Sequence, residues 1–223
     1  ITRNLLMKNV SGFVCVTNEL KNKFIKYRKP VETIPNGINT PFIGRMTGLK
    51  QSRHRMQVIF LGSPNQSWHG LDKIHLLARK LPDVDFHVIG TKEIEEPVNN
   101  LKQYGYLKEE EYINIINMCD VAIGTLALHR NNMNEACPLK TREYLKYGLP
   151  TIIGYKDSDF FDNNPPFLLQ LPNEEDNINN NLSAIDEFIR SSRNFKIENK
   201  NVEHIFNDFK EKKRLNFMNR LIE

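Results

Sequence analysis

The 223-residue chain, with 39% hydrophobic residues, is long enough to bury a full core, and its length allows one large domain or one domain and part of another. Its 31 basic and 27 acidic residues give a formal net charge of +4, which is too balanced for a dedicated nucleic-acid binder but compatible with an anionic ligand. No CxxC or Cys/His spacing connects the three cysteines, no apolar run is long enough for a membrane span, and no signal peptide opens the sequence, so we predict a cytoplasmic protein without a metal site.

The amino-terminal part of the sequence predicts one strand–helix–strand unit. SGFVCVT has the composition of a strand, Thr17 is suited to cap a helix over NELKNKFIKY, and VETI predicts a second strand that ends in the turn PNG. From Pro41 to Arg55 no periodicity holds, and basic and polar residues dominate, which is typical of a linker. We therefore expect a domain boundary there, and because the sequence starts with Ile1, we expect a fragment or a processed chain.

After this linker, apolar strands and amphipathic helices alternate. Strands are predicted at MQVIFLG, VDFHVIG, LKQYGY, DVAIG and LPTIIGY, with helices between them and two more at Asn177–Ser191 and Val202–Ile222. This alternation predicts an α/β fold, a Rossmann-like doubly wound parallel sheet with helices on both faces. The apolar side chains of the last segment are expected to join the core: Ile205, Phe209, Leu215, Met218 and Ile222.

The stretch NEACPLKTREYLKYGLPTI follows the strand DVAIG, and in such sheets a ligand binds at the carboxyl ends of the strands. Pro138 suits the first helical position and Gly148 the residue after the helix, so we predict a helix from about Pro138 to Tyr147. The unpaired N–H groups at Leu139–Thr141 carry the positive end of the helix dipole, and Lys140 adds a full positive charge. This helix start is therefore a predicted phosphate site.

Two acidic residues flank the predicted phosphate site. Glu135 lies just before it and Glu143 about one turn inside the helix, and an ionised carboxylate can accept hydrogen bonds from a pair of sugar hydroxyls. We therefore predict a sugar diphosphate, with phosphate in the middle and hydroxyls at both ends. The alternative is that both glutamates are solvated charges at a helix end.

The pattern E-x7-E, with PLK inside it and EYL-x-x-GLP after it, resembles the donor-side motif of retaining glycosyltransferases of the GT-B fold. The resemblance is greatest to family 4 glycosyltransferases of bacterial polysaccharide assembly. IPNGIN is similar to the end of the amino-terminal domain in that family, and IFLGSPNQSWHGLDKI to the first strand, loop and helix of the carboxy-terminal domain. The resemblance covers about Ser11 to Tyr155, and three matches in the right order are more specific than any one of them.

The resemblance implies a domain organisation. Residues 1–46 would be the incomplete end of an amino-terminal, acceptor-side Rossmann-like domain, followed by a linker at 47–55. Residues 56–200 would bind the nucleotide-sugar donor, and the helix at 201–223 would pack back toward the first domain. The acceptor, a sugar or a lipid-linked glycan, would bind the missing part, and the full-length protein would lie in the cytoplasm, with peripheral association at the inner face of the membrane.

The resemblance also assigns roles within the motif. Glu135 would face the donor sugar as the catalytic residue, and Glu143 would hold the ribose hydroxyls. The remaining predicted contacts are to the diphosphate, from Pro138, Leu139 and Lys140, and to the base, near Tyr106 and Leu107.

One loop departs from the family pattern. Many members carry an Arg and a Lys after the first strand of this domain, whereas here Gly62 and Ser63 are followed by Trp68 and His69. His69 would donate a hydrogen bond rather than a charge, or else these two residues only cap and pack the next helix. His129, in a later loop, is either a sugar contact or a surface residue.

The predicted reaction is transfer of a sugar from a nucleotide diphosphate donor, with retention and without a metal or other cofactor. DSD at Asp157–Asp159 and DVD at Asp83–Asp85 imitate a metal-binding DxD, but nothing near them completes an oxygen-rich shell. The alternatives are a nucleotide-sugar epimerase of similar fold and a non-catalytic binding or signalling domain, although FLGSPNQSWHG lacks the acids that a signalling receiver needs.

Overall fold

A computed structural model of the chain describes residues 3–39, 41–44, 54–91, 97–161 and 163–222. The predicted linker at 47–55 falls outside these ranges except for its last two residues. The division into domains therefore stays a prediction.

Residues 3–39, here called the amino-terminal unit, contain α1 (Arg3–Lys8), β1 (Phe13–Cys15), α2 (Asn18–Phe24) and β2 (Val31–Thr33). β1 and β2 pair in parallel, as a strand–helix–strand connection requires. The Thr17 hydroxyl accepts a hydrogen bond from the Leu20 N–H at 3.1 Å. Thr17 is thus the helix cap that its position in the sequence predicts.

The remaining strands belong to two parallel sheets. In chain order they are β3 (Met56–Leu61), β4 (Val84–Ile89), β5 (Leu101–Gln103), β6 (Val121–Ile123), β7 (Glu135–Ala136), β8 (Thr151–Ile153), β9 (Lys156–Asp157) and β10 (Leu168–Gln170). Within the described ranges, six of them form a parallel sheet in the order β10-β8-β6-β3-β4-β5, and β7 pairs with β9. β3 pairs with a strand on each side, β6 and β4, and nearly all its residues are buried because helices cover both faces of the sheet.

Helices cover both faces of the six-stranded sheet. They are α3 (Leu71–Lys80), α4 (Glu109–Met118), α5 (Leu139–Lys146), α6 (Asn177–Asn180) and α7 (Leu182–Ser191). A further helix, α8 (Asn207–Ile222), ends the described chain. Phe60 of β3 shares one apolar cluster with α3, α6 and α7, whereas its neighbour Ile59 shares another with α4 and α5. Adjacent residues of a strand point to opposite faces, so the two clusters lie on opposite sides. The predicted doubly wound α/β fold is confirmed.

The carboxy-terminal segment departs from the sequence prediction. The predicted helix at Val202–Ile222 begins only at Asn207, and Ile205 precedes it in a short 3₁₀ turn. Ile205 is buried as expected, but the prediction that the other apolar side chains join the core is wrong, because they are exposed: Phe209, Leu215, Met218 and Ile222. The side of α8 that contacts the protein buries Phe217 and Lys210 instead.

Helix α8 lies against the amino-terminal unit. The N–H of Asn207 donates to the carbonyl of Ile38 at 2.9 Å, and Arg220 forms an ion pair with Glu32. A side chain at Gly12 would lie 3.0 Å from the Phe217 ring, so the two surfaces are in direct contact. Among the described helices, none combines the length and the apolar character that crossing a membrane requires.

Candidate functional site

A cavity of about 320 Å³ lies at the carboxyl ends of β3 and β4, beside the start of α5. We call it the α5 cavity. It brings together most of the residues predicted from the sequence: Gly62, Ser63, His69, Tyr106, Leu107, Pro138, Leu139, Lys140 and Glu143. This edge of the sheet is where a ligand is expected in a doubly wound fold.

Two glycines form the floor of the cavity. Gly90 has a φ of +83°, and a Cβ there would lie 2.3 Å from the Gly62 carbonyl oxygen. A Cβ at Gly62 would lie 2.6 Å from a methyl of Thr91. A side chain at Gly90 would therefore displace the backbone that follows β3, and one at Gly62 would displace the Thr91 side chain.

Helix α5 begins one residue later than predicted. Pro138, with φ −70° and ψ 138°, is the residue before the helix, and Leu139 is its first residue. The N–H groups of Leu139, Lys140 and Thr141 have no acceptor among the described residues. Gly148 follows the helix with a φ of +69°, as predicted. Three unpaired N–H donors thus occur where a phosphate site was predicted.

Lys140 is the cation of the cavity, but it does not carry a full charge. Its Nζ donates to the carbonyl of Leu61 at 3.0 Å and lies 4.6 Å from the centre of the Phe60 ring. Burial lowers its pKa to about 7. No carboxylate of the described residues lies within ion-pair distance of it. The prediction of a full positive charge is therefore corrected to partial protonation at pH 7.

His69 contributes a neutral donor. Burial, and to a smaller extent the charge of Lys140, lower its pKa to about 4. Its Nδ1 accepts a hydrogen bond from the Ser63 N–H at 3.3 Å, so the proton of the neutral ring lies on Nε2. His69 is therefore a hydrogen-bond donor and not a cation at neutral pH.

Glu143 lies on the same wall and is held by a tyrosine. The Tyr112 hydroxyl donates to Glu143 Oε1 at 2.8 Å, and burial raises the pKa of Glu143. Burial and this hydrogen bond also raise the pKa of Tyr112, which stays protonated. Sequence reasoning missed Tyr112, because no local pattern connects it with a glutamate 31 positions later. The pair leaves Glu143 with lone pairs free for hydroxyl donors.

Tyr106 lies at the mouth of the cavity. Its side chain is 86% exposed, and Leu107 and the exposed Leu139 are also among the lining residues. An exposed aromatic ring beside an apolar patch is a surface on which a planar ring can stack.

Three predicted residues are not part of this cavity. Glu135 is 2% exposed, and its carboxylate accepts hydrogen bonds from the N–H groups of Asn18 and Glu19. The His129 ring lies 2.7 Å from a carboxylate oxygen of Glu175. Trp68 packs against an apolar cluster. The structure does not bring these three side chains to the predicted phosphate site. The sugar contacts predicted for Glu135 and His129 stay predictions, and the packing of Trp68 is the alternative that the sequence left open for it.

A group of buried ion pairs lies behind the motif. Arg142, which is fully buried, donates to both carboxylate oxygens of Asp157 at 2.7 and 2.8 Å and to Asp159 at 2.9 Å. Lys210 of α8 also pairs with Asp159. We call these four residues the Arg142 cluster. Sequence reasoning missed it, because the two positive partners come from α5 and from the distant α8.

The acids that imitate a DxD motif have cationic partners. Those of DSD belong to the Arg142 cluster, whereas Asp83 pairs with Arg190 at 2.9 Å and Asp85 with Arg55 at 2.7 Å. In the part of the chain that the structure describes, no group of three or more His, Cys, Asp or Glu side chains is placed to hold a metal ion.

No protein-family model and no curated protein sequence matches the chain, but solved structures do. The lipopolysaccharide outer core galactosyltransferase WaaB is similar with a TM-score of 0.68 at 11% identity, covering 96% of this chain and 62% of WaaB. HepE from Anabaena, in complex with UDP, is similar with a TM-score of 0.65 at 12% identity, and the match covers 97% of this chain and 66% of HepE. Sucrose-phosphate synthase from Thermosynechococcus elongatus is similar with a TM-score of 0.63 at 12% identity, and the match covers 85% of this chain and 52% of the synthase.

The chain has the fold of a Rossmann-like GT-B domain. At identities this low, the likeness shows the fold and not the activity. The chain spans between about half and two thirds of the length of these three proteins.

Proposed function

We propose that the α5 cavity binds a nucleotide diphosphate sugar and that the chain is the donor-binding side of a retaining glycosyltransferase similar to family 4. The observation that carries this proposal is that Leu139 and Lys140, whose N–H groups are unpaired, line one cavity together with Glu143. Hydrogen-bond donors for an anion lie beside a carboxylate that can accept hydrogen bonds from hydroxyls. These two features match the two parts of such a ligand, its diphosphate and its sugars.

The diphosphate would bind at the start of α5. The N–H groups of Leu139, Lys140 and Thr141 offer three donors with the positive end of the helix dipole. A dianion beside Lys140 would favour the protonated ammonium, and His69 would add a neutral donor. These groups suit a metal-independent transfer, because they would stabilise the charge that the leaving diphosphate gains as the glycosidic bond breaks.

The nucleoside would extend along the same wall. Glu143, oriented by Tyr112, would accept hydrogen bonds from the two ribose hydroxyls. Each of these hydrogen bonds contributes about 1.5–3 kcal/mol when the acceptor is charged. The base would stack near Tyr106 and Leu107. In this arrangement the sugar to be transferred would lie on the opposite side of the diphosphate.

The acceptor would bind elsewhere. We infer that a sugar or lipid-linked glycan would approach from a further domain of a longer protein, in line with the partial coverage of the similar structures. HepE in complex with UDP has the same fold, which supports a nucleotide ligand. A cytoplasmic role in polysaccharide or glycoconjugate synthesis follows only from the resemblance of the motif.

Isothermal titration calorimetry with UDP-, GDP- and ADP-sugars tests the proposal. We expect one of these series to bind the wild type, and Glu143→Ala to weaken that binding at least about tenfold through loss of the ribose contacts. Glu110→Ala, at an exposed position in the first turn of α4, is the matched control and should bind like the wild type. Absence of binding by the wild type, or equal binding by Glu143→Ala, would overturn the proposal.

A further inference from the structure

Glu135 and Glu19 exchange hydrogen bonds across the molecule. Glu135 accepts from the N–H of Asn18 at 2.9 Å and from that of Glu19 at 3.0 Å. In return, the Glu19 carboxylate accepts from the N–H of Asn134 at 3.0 Å and from that of Glu135 at 3.1 Å. We call this arrangement the Glu19–Glu135 cap. It joins segments that lie 115–117 positions apart in the sequence.

The cap completes the first turn of α2. The Thr17 hydroxyl accepts a hydrogen bond from the N–H of Leu20, and the Glu135 carboxylate accepts from the two remaining N–H groups, those of Asn18 and Glu19. A carboxylate at a helix start also interacts favourably with the helix dipole. Glu135 is almost fully buried, and both of its oxygens are engaged. Turning this side chain toward a sugar would leave the N–H groups of Asn18 and Glu19, which are partly buried, without these acceptors.

The same stretch is held at its other end. Asn36 Nδ2 donates to the carbonyl of Cys137 at 2.9 Å, and the N–H of Asn36 donates to the Cys137 sulfur at 3.1 Å. Residues 134–137 are thus bonded to the amino-terminal unit at both ends. Pro138 and the first turn of α5 follow directly in the chain.

We propose that Glu19 and Glu135 are positioning residues, whose reciprocal cap fixes residues 134–137 against α2 and thereby places the start of α5 at the cavity. The cap itself rests on the observed contacts, whereas its effect on a nucleotide rests on the proposed function. In this role Glu135 acts through α5.

Hydrogen–deuterium exchange tests the cap without any ligand. In Glu135→Ala, exchange should increase at least about tenfold at the amides of Asn18 and Glu19. It should also increase at Arg142, whose N–H donates to the Pro138 carbonyl at the start of α5. Glu19→Ala should give the same increase at Asn134, at Glu135 and at Arg142, and it tests the same contact if Glu135→Ala does not fold.

Exchange at the same amides is measured in a control variant, and it also defines the outcomes that would contradict the inference. Glu110→Ala, on α4, should leave exchange unchanged at all of them. Unchanged exchange at the α2 amides in Glu135→Ala would overturn the cap. An increase confined to α2, with Arg142 unaffected, would overturn the positioning of α5.

Calorimetry with UDP and with UDP-glucose separates positioning from sugar contact. Loss of a positioning residue should weaken both ligands by the same factor, and Glu135→Gln, which keeps one carbonyl oxygen as acceptor, should weaken them less than Glu135→Ala. A loss confined to UDP-glucose would overturn the inference and assign Glu135 to the sugar. If the wild type binds neither these ligands nor the GDP- and ADP-sugars, the proposed function fails, while the exchange data still decide whether the cap positions α5.

Discussion

Two cationic side chains of α5, Arg142 and Lys140, lie two residues apart and have opposite surroundings. Arg142 is fully buried and pairs with Asp157 and Asp159. Lys140 faces the α5 cavity, where its ammonium has one carbonyl acceptor and no carboxylate partner among the described residues. A desolvated charge without a counter-ion is unfavourable unless a ligand supplies one. The comparison separates a charge that supports the fold from one that is available for binding.

The strongest test of this contrast is the stability of Arg142→Met. The substitution leaves Asp157 and Asp159 buried without their main cation, so the free energy of unfolding should fall by about 3–5 kcal/mol. Lys140→Met is the matched control, because it removes a buried cation that has no carboxylate partner, and its stability should equal or exceed that of the wild type. Urea denaturation followed by circular dichroism measures both, and equal losses would contradict the comparison.

The next largest effect should be on binding by Lys140→Met. Loss of the ammonium should reduce the binding free energy for UDP by about 1.5–3 kcal/mol, the value of a charge-assisted hydrogen bond. Lys140→Arg keeps the charge and should retain more affinity than the methionine variant. Calorimetry measures both, and undiminished affinity in Lys140→Met would exclude Lys140 as a phosphate ligand.

The pH dependence of stability should also reflect the missing counter-ion. Because burial lowers the pKa of Lys140 from 10.5 to about 7, the unfolded chain binds an extra proton between these pH values. The free energy of unfolding contributed by Lys140 therefore rises with pH across this window. Unfolding of the wild type and of Lys140→Met at about pH 7 and about pH 9 isolates this contribution. A stability difference that does not change with pH would contradict it.

The smallest expected effect comes from Tyr112→Phe. It removes the hydrogen bond that orients Glu143, and we expect a loss of about 1 kcal/mol in the binding free energy for UDP. Tyr106→Phe is the matched control, because it keeps the ring at the cavity mouth and should leave affinity unchanged. Isothermal titration calorimetry decides between them, and an equal loss in both variants would show that Tyr112 does not act through Glu143.

The sequence predicted the features that depend on local patterns. Periodicity located the strands and helices, Thr17 and Gly148 marked helix ends, and the rule for doubly wound sheets placed the site at the carboxyl ends of the strands. These predictions were correct because helix caps and buried strands have sequence patterns that extend over only a few residues. The predicted helix start was one residue early, since Pro138 fits both the first helical position and the position before it.

The features that the sequence did not predict depend on contacts between distant residues. Glu135 meets α2 across 117 positions, and Arg142 meets Lys210 through Asp159. The apolar positions of α8 indicated a buried face, but tertiary packing buries Phe217 and exposes Leu215 and Met218. The lowered pKa of Lys140 likewise arises from burial, which no local pattern specifies.

Trp68 is the single tryptophan of the chain, and its ring centroid lies 6.0 Å from that of His69, a wall residue of the α5 cavity. Indole fluorescence responds to the polarity and the quenching groups around the ring. The protein therefore carries one unlabelled optical probe next to the cavity, and titrations followed by emission would report on a single location.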